Sequence, residues 1–225
     1  MKSLVTLLSV VLFVGQAWAL DFDANVPKDI QKQMLEDLDF VYAIQGSGQT
    51  PFHKEIFKDV SGAEYKLFLE SHVKSVGISA CGGGNAVACV MPLFGAKMWL
   101  TKNFIEFSHP QIARMMVVYH EARHTERAKA NWPHDNCPTP FLDENGNNMT
   151  SIWTGASLAG EAACDSTQYG SYGSSTIMLK NISKFCANCT DKVKMDADLY
   201  AANQLGRISK PDVKKAMLAD FNAKK

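Results

Sequence analysis

Beyond its N-terminal end the 225-residue chain has no long apolar run, so nothing there reaches the roughly 20 residues that span a bilayer. It has no excess of either charge, with 23 Lys and Arg against 23 Asp and Glu. Basic residues are scattered, apart from a lysine-rich C-terminal end. That balance gives no electrostatic basis for nucleic acid or an anionic membrane surface as a partner. There is no internal repeat and no low-complexity segment. No Gly-Lys-Ser/Thr ending follows Cys81-Gly82-Gly83-Gly84-Asn85, so the triple glycine reads as a turn and not as a phosphate loop. No second CxxC accompanies Cys186-Ala187-Asn188-Cys189, which excludes a zinc knuckle of that type. The strand context of a thioredoxin-like redox motif is missing as well.

What is present begins with residues 1–19, which read as a signal peptide. Lys2 supplies the positive end, Leu4 to Val14 the short apolar stretch, and Ala17-Trp18-Ala19 the small-x-small cleavage pattern. No cysteine follows that pattern, so a lipid anchor is not indicated. Only a few residues separate Leu20 from the first predicted helix, which leaves no room for a large pro-domain. Residues 20–225 are expected to form a single domain that is secreted or periplasmic, with no stable membrane insertion after cleavage.

All six cysteines fall after the signal segment. An even count in an exported chain reads as disulfides, although six cysteines allow about 15 connectivities. Proximity favours Cys81–Cys89 and Cys186–Cys189, leaving Cys137–Cys164. Asn148-Met149-Thr150, Asn181-Ile182-Ser183 and Asn188-Cys189-Thr190 match the glycosylation pattern.

Pro27 to Ile44 reads as an amphipathic helix, with Ile30, Met34, Leu38 and Val41 at helical spacing. Gln45 to His53 reads as a loop. Strand-like runs follow at Tyr65–Leu69, Ala86–Met91 and Met98–Thr101. A helix is then predicted from Ser108 as N-cap, with Pro110 in its first turn, to about Asn131 before Trp132-Pro133. After a polar loop, a second helix is predicted from Gly155, carrying Leu158, Glu161, Ala162 and Asp165. The rest reads helical, broken near Gly206, with Ser209 and Asp212 marking the last start. Together these elements predict an α+β fold: a small mixed or antiparallel sheet, then a helix bearing the polar cluster, then a mainly helical C-terminal half, stabilised by disulfides.

The central predicted helix carries His120-Glu121-Ala122-Arg123-His124. Residues four apart on a helix share a face, so His120 and His124 can grip one metal ion. Glu121 lies about 100° round the helix, where it can reach a metal-bound water but not serve as a further ligand. This is the HExxH arrangement, in which Zn²⁺ acidifies water and the glutamate takes the proton. A catalytic site needs a third protein ligand. Glu161 is the preferred candidate, with Asp165 one turn later to orient a ligand imidazole; His134 is the alternative. Tyr169, Tyr172 and His134 are candidate oxyanion donors. Arg123 and Glu126 are expected on a solvated face.

His120-Glu121-Ala122-Arg123-His124 with Glu161-Ala162-Ala163-Cys164-Asp165 resembles the zincin metalloproteases, and their gluzincin branch in particular. The metzincin branch is excluded, because Thr125-Glu126-Arg127-Ala128 follows His124 where that branch carries glycine and a third histidine. Gly160 stands where gluzincins usually carry Asn. The resemblance implies Zn²⁺ on His120, His124 and Glu161, Glu121 as general base and Asp165 behind the ligands. It also implies a peptide, protein or cell-wall peptide substrate lying along a sheet edge. The competing expectation is a disulfide-stabilised secreted binding protein whose metal site is structural or decayed.

Overall fold

The computed structural model describes residues 20–81, 83–91, 95–126, 131 and 133–223. The expected signal peptide lies outside the described residues. A short β1 (Asp21–Phe22) leads into α1 (Lys28–Tyr42), where Ile30, Met34, Leu38 and Val41 are buried as their spacing predicts. Asp37 is buried beside them, and Arg114 grips its two oxygens from Nε and Nη2 at 2.5 and 2.6 Å. A paired, bidentate guanidinium is what makes such a carboxylate tolerable in the interior.

α2 (Pro51–Phe57) and α3 (Gly62–His72) follow. The run Tyr65–Leu69, expected as a strand, lies inside α3. Ser61 caps that helix, its side chain accepting from Glu64 N–H at 3.3 Å. Tyr65 and Leu69, four apart, turn inward, while Leu67 between them is 64% exposed. The helical period therefore prevails over the alternation that the five residues also display.

β2 (Ser75–Ile78), β3 (Ala88–Val90) and β4 (Lys97–Leu100) complete a four-stranded sheet in the order β1-β2-β4-β3. β1, β2 and β4 are parallel; β3 runs antiparallel to β4, with Cys89 opposite Trp99, and forms the edge. The sheet is thus mixed, and the Cys81–Cys89 disulfide pins the glycine turn to its edge strand.

α4 (Lys102–Glu106), capped by Thr101, precedes α5 (Gln111–His124). Pro110, not Ser108, is the N-cap of α5, and no side chain caps it. The helix stops at His124 instead of continuing toward Asn131, a stretch of which residues 127–130 lie outside the described residues. At the stop, the Thr125 hydroxyl donates to the Ala122 carbonyl at 2.8 Å. α5 is buried from Met115 to His124 and packs on α1, α3 and β3.

The helix expected from Gly155 does not form. Gly155 and Gly160 stand at φ of 73° and 77°, outside the helical region for L-residues, and the chain folds back on itself. Ala162–Cys164 becomes β6, antiparallel to β5 (Asp135–Asn136), and the Cys137–Cys164 disulfide locks the pair. Cys137, Phe141, Leu158 and Cys164 form a small apolar cluster of their own beside the main core.

Three helices close the fold where two were expected: α6 (Ser171–Phe185), α7 (Asp191–Gly206) and α8 (Pro211–Asn222). The Cys186–Cys189 disulfide lies at the corner between α6 and α7, so all three disulfides follow the pairing that proximity favoured. Lys210, not Ser209, is the N-cap of α8. Asn181 is fully buried, donating to Thr50 Oγ1 and the Ile177 carbonyl and accepting from Thr50 N–H, which removes it as a glycan acceptor. No helix among the described residues is long and apolar enough to cross a membrane.

His53 of α2 adds a pH-dependent element to stability. It is fully buried, with Nδ1 3.1 Å from the Lys58 carbonyl and Nε2 2.9 Å from Tyr65 Oη. Burial pushes its pKa down to about 4 from the ordinary 6.5. The fold therefore favours the neutral ring. Its cost is absent above pH 6.5 and grows as pH falls toward the folded pKa, reaching about 3 kcal/mol near pH 4. Urea unfolding of the wild type and of His53→Gln at pH 7 and pH 4 measures this. The variant loses most of that increment; an identical pH dependence in the two proteins would assign the acid sensitivity elsewhere.

Candidate metal centre

The last turn of α5 presents His120 and His124 on one face, as four-residue spacing requires. The chain then returns to place His134 opposite them. The Nε2 atoms of the three rings lie 3.2 Å apart for His120 and His124, 3.1 Å for His120 and His134, and 2.9 Å for His124 and His134. They form a convergent group positioned to hold one metal ion.

The other ring nitrogens show how this cluster suits a cation. His124 Nδ1 donates to the Asn131 carbonyl at 2.6 Å, and His134 Nδ1 donates to Asp165 Oδ1 at 2.8 Å. Both acceptors lack a hydrogen, so each Nδ1 carries the ring proton and each Nε2 is left with a lone pair. Two lone pairs 2.9 Å apart repel, and one proton on His120 Nε2 could satisfy only one of them. Protonating the rings is opposed too. Burial, followed by the neighbouring imidazoles, holds His120 well below its ordinary pKa; burial, followed by His134, pushes His124 down to about 3. Tetrahedral Zn²⁺ with bonds of about 2.0–2.1 Å would set its ligand nitrogens about 3.3 Å apart. The observed triangle is close to that size, so the donor set fits such an ion.

Asp165 is the brace of this arrangement. Its Oδ1 receives His134 Nδ1–H, while Oδ2 accepts the backbone N–H groups of Tyr172 and Gly173 at 2.7 and 3.3 Å, in the first turn of α6. One carboxylate thus caps a helix and orients a histidine. A Cβ on Gly170 would collide with that carboxylate, which explains the glycine there. His124 is oriented less directly. Arg123 and Glu126, expected on a solvated surface, are enclosed instead: Arg123 is fully buried, with Nη1 donating to Glu126 and Nη2 to the Tyr169 carbonyl at 2.7 Å. Glu126 also binds His72 Nε2 at 3.0 Å and Asn131 Nδ2 at 3.1 Å, fixing the residue whose carbonyl orients His124.

Glu121 faces β3. It is buried, and burial raises its pKa to about 8, against the opposing pull of the Val90 backbone amide. Glu161 stands apart from the imidazoles. It is an exposed bend residue just before β6, on the rim of the cavity, and the convergent group among the described residues does not include it. The reason is the missing helix: without it, Glu161 and Asp165 are not one turn apart on a common face. Tyr169 turns away, its hydroxyl on Glu55 at 2.7 Å. Tyr172 stays, its ring centroid 4.5 Å from His134 and 4.4 Å from His120. Its hydroxyl accepts from Arg207 Nη1 at 2.7 Å, so its own proton remains available to donate.

The imidazoles open into a cavity of about 370 Å³ between the β3 edge and the loop around Trp153. Val87, Met116, Trp153 and Leu158 give it apolar walls, and Gln204 and Arg207 a polar one. Comparison with protein-family models, with curated proteins and with solved structures gives no match. The site's chemistry therefore rests on its own geometry.

The sequence did not single out Arg207, Gln204 or Asn131. The first two sit far along the chain on α7 and its C-cap, and Asn131 acts through its backbone carbonyl, which no side-chain pattern reveals.

Proposed function

We propose that this protein is an exported zinc-dependent hydrolase of peptide bonds, with His120, His124 and His134 holding the ion and Glu121 as general base. The observation that carries this reading is the pair of facing Nε2 lone pairs on His124 and His134, completed by His120, with Glu121 on the adjacent helical position. Three imidazoles beside a cavity leave a coordination position open, which is the mark of a catalytic zinc site as distinct from a closed structural one. That favours a hydrolase over a binding protein with a structural ion. Zn²⁺ supplies a Lewis acid and acidified water.

The chain's own groups supply the rest. Glu121 lines the cavity wall, where its ionised form can take a proton from water and return it to the leaving amine. Because the Val87 carbonyl accepts Thr101 N–H on the β4 side, strand alternation turns the N–H and C=O of Ala88 and of Val90 to the open edge. An extended peptide can pair there and run past Glu121. Tyr172 Oη, held by Arg207, can donate to the carbonyl oxygen as it gains charge. Three disulfides agree with an oxidising compartment outside the cytoplasm.

The test is the metal content of the purified protein together with hydrolysis of casein and peptidoglycan peptides, with and without chelator. One equivalent of zinc and chelator-sensitive cleavage are expected. One equivalent of zinc with no cleavage of any substrate would favour the binding-protein reading.

A further inference from the structure

Arg207, the C-cap residue of α7, is only 6% exposed and lies on the cavity wall. Its guanidinium carbon stands 4.6 Å over the Tyr172 ring, and Nη1 donates to Tyr172 Oη. That is all it does with five donor hydrogens. Nε is buried without a hydrogen-bond partner, and Nη2 makes no hydrogen bond among the described residues. No described carboxylate lies within ion-pair distance. Of the acids around the site, Asp165 is taken by His134 and the first turn of α6, Glu121 is buried in the cavity wall, and Glu161 stands exposed on the cavity rim without an ion pair to Arg207 among the described residues.

A buried guanidinium without a counter-anion is costly, and the usual remedy is a carboxylate bound through two parallel N–H donors. Gln204, one turn earlier on α7 and also buried, faces the same cavity; its Nε2 has only a 3.4 Å contact with Asn203 Oδ1. A cation and an amide therefore border the space that the imidazoles open into, with Tyr172 between Arg207 and His120. The cavity volume suits one or two residues of a peptide, not a large side chain and a long strand together.

We propose that Arg207 and Gln204 form a carboxylate-binding subsite, and that the substrates of this protein carry a carboxylate close to the bond presented to Glu121. This rests on the peptidase reading for the bond cleaved, but not for the anion bound. A chain-terminal carboxylate and an Asp or Glu side chain offer the same two acceptor oxygens, so the chemistry is common to both. Arg207 is a specificity-determining residue in this scheme, and Gln204 adds a neutral donor.

Binding is measured first, by calorimetry, on the full chain with its metal and with Glu121→Gln to prevent turnover. The probes are N-acetylglycine and its neutral amide. The carboxylate should bind and the amide should not. Arg207→Met should weaken carboxylate binding by about 10- to 100-fold, the worth of charged hydrogen bonds. Tyr172→Phe, which removes the one hydrogen-bond partner of the Arg207 guanidinium among the described residues and keeps the ring beneath it, should keep it; loss in Tyr172→Phe equal to that in Arg207→Met would mean that Arg207 only supports the tyrosine. Undiminished carboxylate binding in Arg207→Met would place the anion on the metal and overturn the proposal. Cleavage is read second, on wild-type protein, with peptides bearing a free acid or an amide at the C-terminus, and Glu or Gln internally. A free-acid preference identifies the terminal carboxylate as the group bound, an internal Glu preference the side chain, and equal cleavage of all four sinks the subsite. Arg207-dependent binding without cleavage of any peptide would retain the subsite and reject the peptidase.

Discussion

Glu121→Gln is expected to leave the metal content unchanged and to lower kcat by about 10²–10⁴-fold, the usual worth of a positioned general base. The substitution is nearly isosteric. Gln fills the same buried space in the cavity wall, so the side chain keeps its place against β3. What it loses is the capacity to carry a proton between water and leaving group. The three imidazoles are untouched, and each has its orientation set from outside Glu121 where a partner exists: His124 by Asn131, His134 by Asp165. Metal analysis beside steady-state kinetics separates the effects. A fall in kcat at constant metal content supports the base; full turnover would remove Glu121 from the mechanism, and loss of metal would make it a ligand.

His134→Ala is expected to lose the ion, whereas Glu161→Ala should keep it. His134 supplies one of three donors, and its Nε2 lies within 3.1 Å of both others. Loss of a group that merely orients a ligand costs about 10–100-fold in metal affinity, so loss of the ligand itself should exceed that. Competition against a chromophoric chelator reads the affinity directly. Glu161 has no place among the convergent atoms, and its removal trims only the cavity rim. Zinc retained by His134→Ala and lost by Glu161→Ala would reverse the assignment and restore the pairing that the gluzincin resemblance implies. An ion bound there would also separate the facing lone pairs, so the metal-depleted wild type should melt at a lower temperature than the loaded protein.

Parts of the fold are local enough to be read from short stretches of chain. α1 announces itself through four apolar residues at helical spacing, and all four are buried. β3 falls within its predicted run, and β4 starts one residue before its own, at Lys97. Elsewhere two local signals compete. Tyr65–Leu69 alternates like a strand, yet Ser61 at the N-cap and burial at a four-residue interval make it helix. From Gly155 to Asp165 the pattern is compatible with a helix, but two glycines in the left-handed region and the Cys137–Cys164 disulfide hold it as a returning loop and a strand. Arg123 and Glu126 look like a charged surface along α5; the packing of α6 and the Asn131 segment encloses them, which chain-local reasoning has no means to anticipate.

The same division runs through the site. The residue spacing by itself determined that His120 and His124 share a face and that Glu121 does not, because helix geometry is set by the backbone within one turn. It determined the nearest cysteine pairs for a similar reason: short separations along the chain limit separations in space. Only the tertiary structure brings His134, and not Glu161, to the two helical imidazoles. That choice depends on where a loop returns after α5 and on whether residues 155–165 are helical, and both are set by packing and by the β5–β6 pairing. It alone brought Arg207 to the cavity, since the C-cap of α7 meets the first turn of α6 through a bond between residues far apart in sequence. Side-chain identity records which groups can bind an ion or an anion; the folded backbone decides which of them face the same space.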